Sequence, residues 1–127
     1  MDKAGPRVVV VEDDSSIRSL LSELLESEGF RVFGTATGAG ACREIARELP
    51  GAILLDRRLA DMKAAEFLAM CPALATGRVP IVLMSAAAED VTIPRSTGVV
   101  AYIAKPFDLD DVVRQVRAAT SLERAGA

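Results

Sequence analysis

Residues 52–62 read AILLDRRLADM: four apolar residues, one carboxylate at Asp56, then Arg57 and Arg58. A short apolar run bounded by polar residues has the length of a buried strand. An acid at its end stands where the chain leaves the core and meets solvent. Taken alone, Asp56 has an ordinary explanation as a turn residue paired with Arg57 or Arg58. What surrounds the stretch decides between that and a functional role.

Upstream, RVVVV (Arg7–Val11) predicts a first buried strand, followed at once by Glu12, Asp13 and Asp14. Ile17, Leu20, Leu21, Leu24 and Leu25 then recur at helical spacing, with Asp14 or Ser15 as the cap and Gly29 as the stop. FRVFG (Phe30–Gly34) predicts a second strand, and Cys42, Ile45, Ala46 and Leu49 the inward stripe of a second helix, with Cys42 in the core. Downstream, Ala64–Met70 predicts a third helix, and Pro80–Met84 and Val100–Ala104 the fourth and fifth strands. A last helix starting at Asp108 carries Leu109, Val112, Val113 and Val116 inward, with Arg114, Arg117 and Arg124 on a solvated face.

Apolar strands alternating with amphipathic helices predict an α/β fold, a parallel sheet covered on both faces. In such sheets, sites form beyond the carboxyl ends of the strands. Glu12 and Asp13 end the first strand, Asp56 ends the third, Ser85 the fourth and Lys105 the fifth. Carboxylates distant in sequence are thereby expected to converge at one edge.

Bulk properties narrow the chemistry. At 127 residues the chain is expected to be one domain, able to bury roughly two-thirds of its unfolded surface. A net charge of −3 with no continuous basic block gives little support for nucleic acid or an anionic membrane as partner. Cys42 and Cys71 fit no metal or redox spacing, and neither a signal peptide nor a long apolar run is present, so a cytoplasmic location is expected. The chain contains no histidine. That excludes a Ser-His-Asp triad, a Cys-His pair and a His-ligated zinc site.

Converging carboxylates repel, and a divalent cation is the natural remedy. Oxygen-only ligands select a hard ion, and a few carboxylates plus water suit Mg²⁺. With a nucleophilic carboxylate, a lysine and a hydroxyl beside it, the set has what phosphoryl transfer requires: alignment and neutralisation of spread negative charge.

VVVVEDD, ILLDRRLADM, IVLMSA and YIAKPF, in this order and each at a strand end, resemble the response-regulator receiver domains of two-component signalling over nearly the whole chain. The resemblance implies a flavodoxin-like, doubly wound, five-stranded parallel sheet with helices on both faces, as a single domain over 1–127 with a core at about 6–122 and no output domain in this chain. It implies Asp56 as phosphoacceptor, Asp13 as direct Mg²⁺ ligand, Glu12 acting mainly through metal-bound water, and Arg58 lending its backbone carbonyl. Ser85 and Lys105 would each meet a phosphoryl oxygen, Tyr102 would be the aromatic switch that follows Ser85, and Pro106 would follow a cis peptide. The implied partners are a sensor histidine kinase or histidine phosphotransfer protein and a downstream protein target or output domain, with a homodimer as a further option. Neither direct nucleic-acid nor membrane binding is implied. Such a chain is not a metabolic enzyme: phosphoryl acceptance and autodephosphorylation are its only reactions.

Rivals are weaker. A pseudo-receiver that signals by contact alone would have lost the acceptor, acid pair or lysine, and all are kept. An aspartate-dependent phosphohydrolase needs a second acid where Arg58 stands. GTATGAG (Gly34–Gly40) lacks the third glycine and the ribose-binding acid of a dinucleotide loop. The sequence departs from the family pattern at Ala60, often proline, and at Lys63 and Ala64, often an acid-glycine pair, so the loop after the acceptor is expected to turn differently. Val91, Thr92, Ile93 and Pro94 are poor helix formers, so a helix between Ser85 and Lys105 is expected to be short, distorted or absent.

Overall fold

The computed structural model describes residues 5–74, 77–85 and 98–125, with side chains to residue 121. Along the chain run β1 (Arg7–Val11), α1 (Ser15–Ser27), β2 (Arg31–Thr35), α2 (Gly38–Arg47), β3 (Ala52–Asp56) and α3 (Ala64–Met70). A 3-10 turn at Pro72–Leu74, β4 (Ile81–Ser85), β5 (Val99–Ala104) and α4 (Leu109–Ala125) follow. The five strands form one parallel sheet in the order β2-β1-β3-β4-β5. The chain winds outward from β1 to β2 and then the other way through β3, β4 and β5. The reversal opens a crevice between the carboxyl ends of β1 and β3.

Strand periodicity explains both cores. Val9, Val11, Ile53, Leu55, Ile81 and Leu83 point to one face, against Ala41 and Ile45 of α2 and Phe67 and Leu68 of α3. Val8, Val10, Ala52, Leu54, Val82 and Met84 point to the other, against Leu21 and Leu25 of α1 and Val112 and Val116 of α4. Because both faces are covered, β1, β3 and β4 are apolar runs rather than alternating ones, and all of their residues are buried. The edge strands β2 and β5 keep exposed positions.

The doubly wound sheet agrees with the sequence expectation, and the differences have local causes. Phe30 closes the end of α1, its N–H donating to Leu25 O, so β2 begins one residue later, where Arg31 N–H donates to Pro6 O. Pro80 has no N–H for the ladder but its carbonyl accepts from Ile53, so β4 runs from Ile81 to Ser85. The inward face of α2 is Gly38, Gly40, Ala41 and Ile45, with Cys42 only half-buried and Ala46 exposed. A Cβ at Gly40 would sit 2.6 Å from Thr35 Oγ1, so the helix lies on its smallest residues, which a search for large apolar side chains overlooks. Leu49 is 60 % exposed because α2 ends at Arg47 and Glu48 is already extended.

Asp108 precedes α4 instead of starting it: its carboxylate accepts from Asp110 N–H and its carbonyl from Val112 N–H. Leu109, at the first helical position, is 37 % exposed rather than inward. Helical side chains lean toward the N-terminus, so one at the first position leans off the end of the helix. Val112 is buried and Val113 half-buried, as expected. On the outer face Arg114 pairs with Asp111, while Arg117 pairs with Glu28 and covers the Phe30 ring; the side chain of Arg124 lies outside the described residues. So does the expected short or distorted helix around Val91–Pro94.

Candidate functional site

The first carboxylate follows β1. Glu12 N–H donates to Thr35 O (3.0 Å), and its carbonyl accepts from Arg18 Nη1 (2.8 Å). With its backbone held from both sides, the side chain stays inside at 1 % exposure. One oxygen accepts from Asp14 N–H (3.2 Å) and the other from Lys105 Nζ (3.2 Å). Burial pushes the Glu12 carboxyl above the usual range; the Asp14 N–H opposes this, the charge of Asp56 adds to it and Lys105 works against it. Asp13, the next residue, is exposed. Asp14 caps α1, accepting from Ile17 N–H at 3.0 Å, and Gly29 stops the helix at a positive φ of 98°.

Asp56 is the last residue of β3, 7 % exposed, and its Oδ1 lies 2.7 Å from Lys105 Nζ. A lysine from beyond β5 thus reaches across to acids that follow β1 and end β3. Burial alone would lower the Lys105 pKa, but the hydrogen bond and charge of Asp56, joined by Glu12, outweigh it and hold the ammonium above its ordinary value. Ser85 ends β4 and is buried; its carbonyl accepts from Lys105 N–H at 2.8 Å, which ties the two positions together. Tyr102 is half-buried on β5 and packs against the α2–α3 core. The Lys105–Pro106 peptide is cis.

The donor set fits a hard divalent cation. One oxygen from each of Glu12, Asp13 and Asp56 can lie within 4.8 Å of the others, Asp13 opens the group to solvent, and among the described residues the cluster is of carboxylates alone. The two thiols take no part. Cys42 and Cys71 face each other between α2 and α3, and burial, with Cys71 beside it, pushes the Cys42 thiol up to about 12, which disfavours its thiolate.

One residue near the site escaped the sequence reading. Asp61, in the loop after Asp56, accepts from Gly38 N–H (2.7 Å) and Ala39 N–H (3.2 Å) at the start of α2. Those hydrogen bonds, the Gly38 N–H foremost, hold its carboxyl below the usual range. Its partners are distant in sequence, and an exposed acid in a loop carries no local signal.

Residues 8–117 match the response regulator receiver domain family. The chain belongs to that family. This receiver domain is 31 % identical over 108 residues to sporulation initiation phosphotransferase F of Bacillus subtilis, a match covering 84 % of the chain and 86 % of the relative. It is 34 % identical over 121 residues to the DNA-binding response regulator MtrA of Mycobacterium tuberculosis, across 93 % of the chain but only 52 % of that protein. The chain therefore spans about half the length of that relative. Among solved structures, a CheY-like receiver domain protein of Methanospirillum hungatei superposes with a TM-score of 0.85 at 25 % identity, over 96 % of this chain and 98 % of that one. The receiver domain of a sensor histidine kinase from Pseudomonas aeruginosa, solved with a magnesium ion coordinated in its active-site cleft, gives a TM-score of 0.77 at 26 % identity, covering 93 % and 99 %. No helix among the described residues is long and apolar enough to cross a membrane.

Proposed function

We propose that this receiver domain accepts a phosphoryl group on Asp56 from a phosphohistidine of a sensor histidine kinase or histidine phosphotransfer protein. A carboxylate oxygen of Asp56 forms a bond to phosphorus as the P–N bond of the donor breaks, and the imidazole nitrogen leaves with the electron pair. Hydrolysis of the resulting acyl phosphate returns the carboxylate and releases inorganic phosphate, which ends the signal. The observation that carries this reading is the convergence of Asp56, Glu12 and Asp13 with Lys105 at the mouth of the sheet.

Glu12, Asp13, Asp56 and the backbone carbonyl of Arg58 would hold Mg²⁺, which supplies neutralisation of the charge on the phosphoryl oxygens. Lys105 stays protonated and offers its ammonium to one phosphoryl oxygen, leaving its present partner on Asp56. Ser85 offers its hydroxyl to another. A phosphoryl group adds nearly two negative charges, enough to draw Ser85 toward it. Tyr102, on the strand beside Ser85, then repacks and changes the surface offered to a downstream protein or output domain.

Incubation with a small acyl phosphate and Mg²⁺ should add one phosphoryl mass, in an adduct that survives acid and is cleaved by hydroxylamine. Asp56→Ala should carry none. Equal labelling of that variant would move the acceptor elsewhere, and no labelling of the wild type would turn the reading toward a module that signals by contact alone.

A further inference from the structure

The loop between β3 and α3, residues 57–63, is closed on itself: Ala64 N–H donates to Arg57 O and Leu59 N–H to Met62 O, both at 2.8 Å, and Arg58 bridges to Lys63. Three further contacts dock it onto the start of α2. Ala60 N–H donates to Ala36 O at 3.0 Å. Asp61 takes the Gly38 and Ala39 N–H groups, one on each carboxylate oxygen. Met62 lies over Gly38 so closely that a Cβ there would sit 2.6 Å from its sulfur. Only the second contact involves a charge, and it meets the positive end of a helix, where a carboxylate is favoured.

We propose that Asp61 is a positioning residue for the acidic site, clamping the loop that carries Arg58 onto α2 and so holding that loop in register with Asp56. The inference rests on Arg58 lending its carbonyl to the metal. The departure at position 60 fits the same design. A proline there would have no N–H to give Ala36, whereas alanine leaves the loop free of a ring constraint but able to bond across. Rigidity of the loop then comes from its docking on α2, and the weight of that docking falls on Asp61.

The test compares two losses at the same end of α2. Thr37 is the cap of that helix, its hydroxyl accepting from Gly40 N–H at 2.9 Å, and Thr37→Ala weakens the helix without touching the loop. Mg²⁺ titration of the full chain by calorimetry should show Asp61→Ala weakening Mg²⁺ binding about tenfold, the lower end for residues that orient metal ligands. Asp61→Asn, which keeps a carbonyl oxygen for Gly38, should recover most of it, and Thr37→Ala should bind as the wild type does. Amide hydrogen exchange should quicken at Ala60 in Asp61→Ala alone. Equal Mg²⁺ affinity in Asp61→Ala and wild type, or equal weakening by Asp61→Ala and Thr37→Ala, would overturn the clamp while leaving the site intact. A wild type that binds no Mg²⁺ would overturn the site itself, and the clamp's role with it.

Discussion

At the amino ends of the strands Arg7 is 7 % exposed, and each of its guanidinium nitrogens faces an oxygen of α2 or its C-cap. It donates to the Glu48 carbonyl at 2.7 Å, pairs with the Glu44 carboxylate and lies 3.6 Å from the Glu48 carboxylate. Arg31 adds to Glu48 and Arg47 to Glu44, so two carboxylates meet three guanidinium groups. At the carboxyl ends carboxylates gather instead: Lys105 pairs with Glu12 and with Asp56, and Asp13 lies beside those two acids. The sheet lies between the two groups. The first holds α2 to β1 with both carboxylates paired, whereas the second, among the described residues, brings three carboxylates to one lysine, an arrangement that favours a cation.

The most severe way to break this contrast is at the amino ends. Arg7→Met should cost up to about 3 kcal/mol in urea unfolding, since the Glu48 carbonyl loses a charged donor while Arg47 and Arg31 remain for the Glu44 and Glu48 carboxylates, and it should leave Mg²⁺ binding unchanged. An equal loss in Mg²⁺ affinity would mean the two ends are not independent. Next in size is the response of the carboxyl ends to their ligand. At Mg²⁺ a hundredfold above its dissociation constant the wild type should gain about 2.7 kcal/mol, read as a rise in melting temperature, and Asp56→Asn should lose most of that gain. An unchanged response in Asp56→Asn would remove Asp56 from the ligand set.

Smallest, but sharpest in sign, is the pH dependence. Hydrogen bonding from Arg47, and the charges of Arg47 and Arg7, hold Glu44 below its ordinary value. Its contribution is therefore present above about pH 4.5 and lost as pH falls through its folded value. Glu12 is raised, so its contribution is present below about pH 4.5 and lost as pH rises through its folded value. Urea unfolding across pH should show Glu44→Gln flattening the acid side and Glu12→Gln flattening the decline above it. Mg²⁺ should suppress only the Glu12 effect. The same sign for both variants would contradict the contrast between the ends.

Legibility from sequence follows the same division. The carboxyl-end group could be read because each of its residues sits at the end of an apolar run, and a parallel sheet brings such ends together whatever lies between them. Asp14 and Gly29 were legible as cap and stop because their partners are three or four residues away. Arg7 reads in sequence only as the first residue of a strand, and Asp61 carries no local signal, because their partners on α2 are far along the chain. The α2 face was misplaced for a further reason. Hydropathy weighs side-chain size, and that face is built on Gly38, Gly40 and Ala41, where Met62 and Thr35 come too close to the glycines for a larger side chain.

The burial of every residue in β1, β3 and β4 has a consequence in time. Their amides have no local route to solvent, so Leu54 and Val82 should exchange only when the whole molecule opens. The domain thus carries its own clock. Slowing at Leu54 on adding Mg²⁺ measures ligand linkage to global unfolding, and any extra slowing at Ala60 or Gly38 beyond that measures local ordering around the site, so one exchange series on one sample separates binding from the rearrangement it causes.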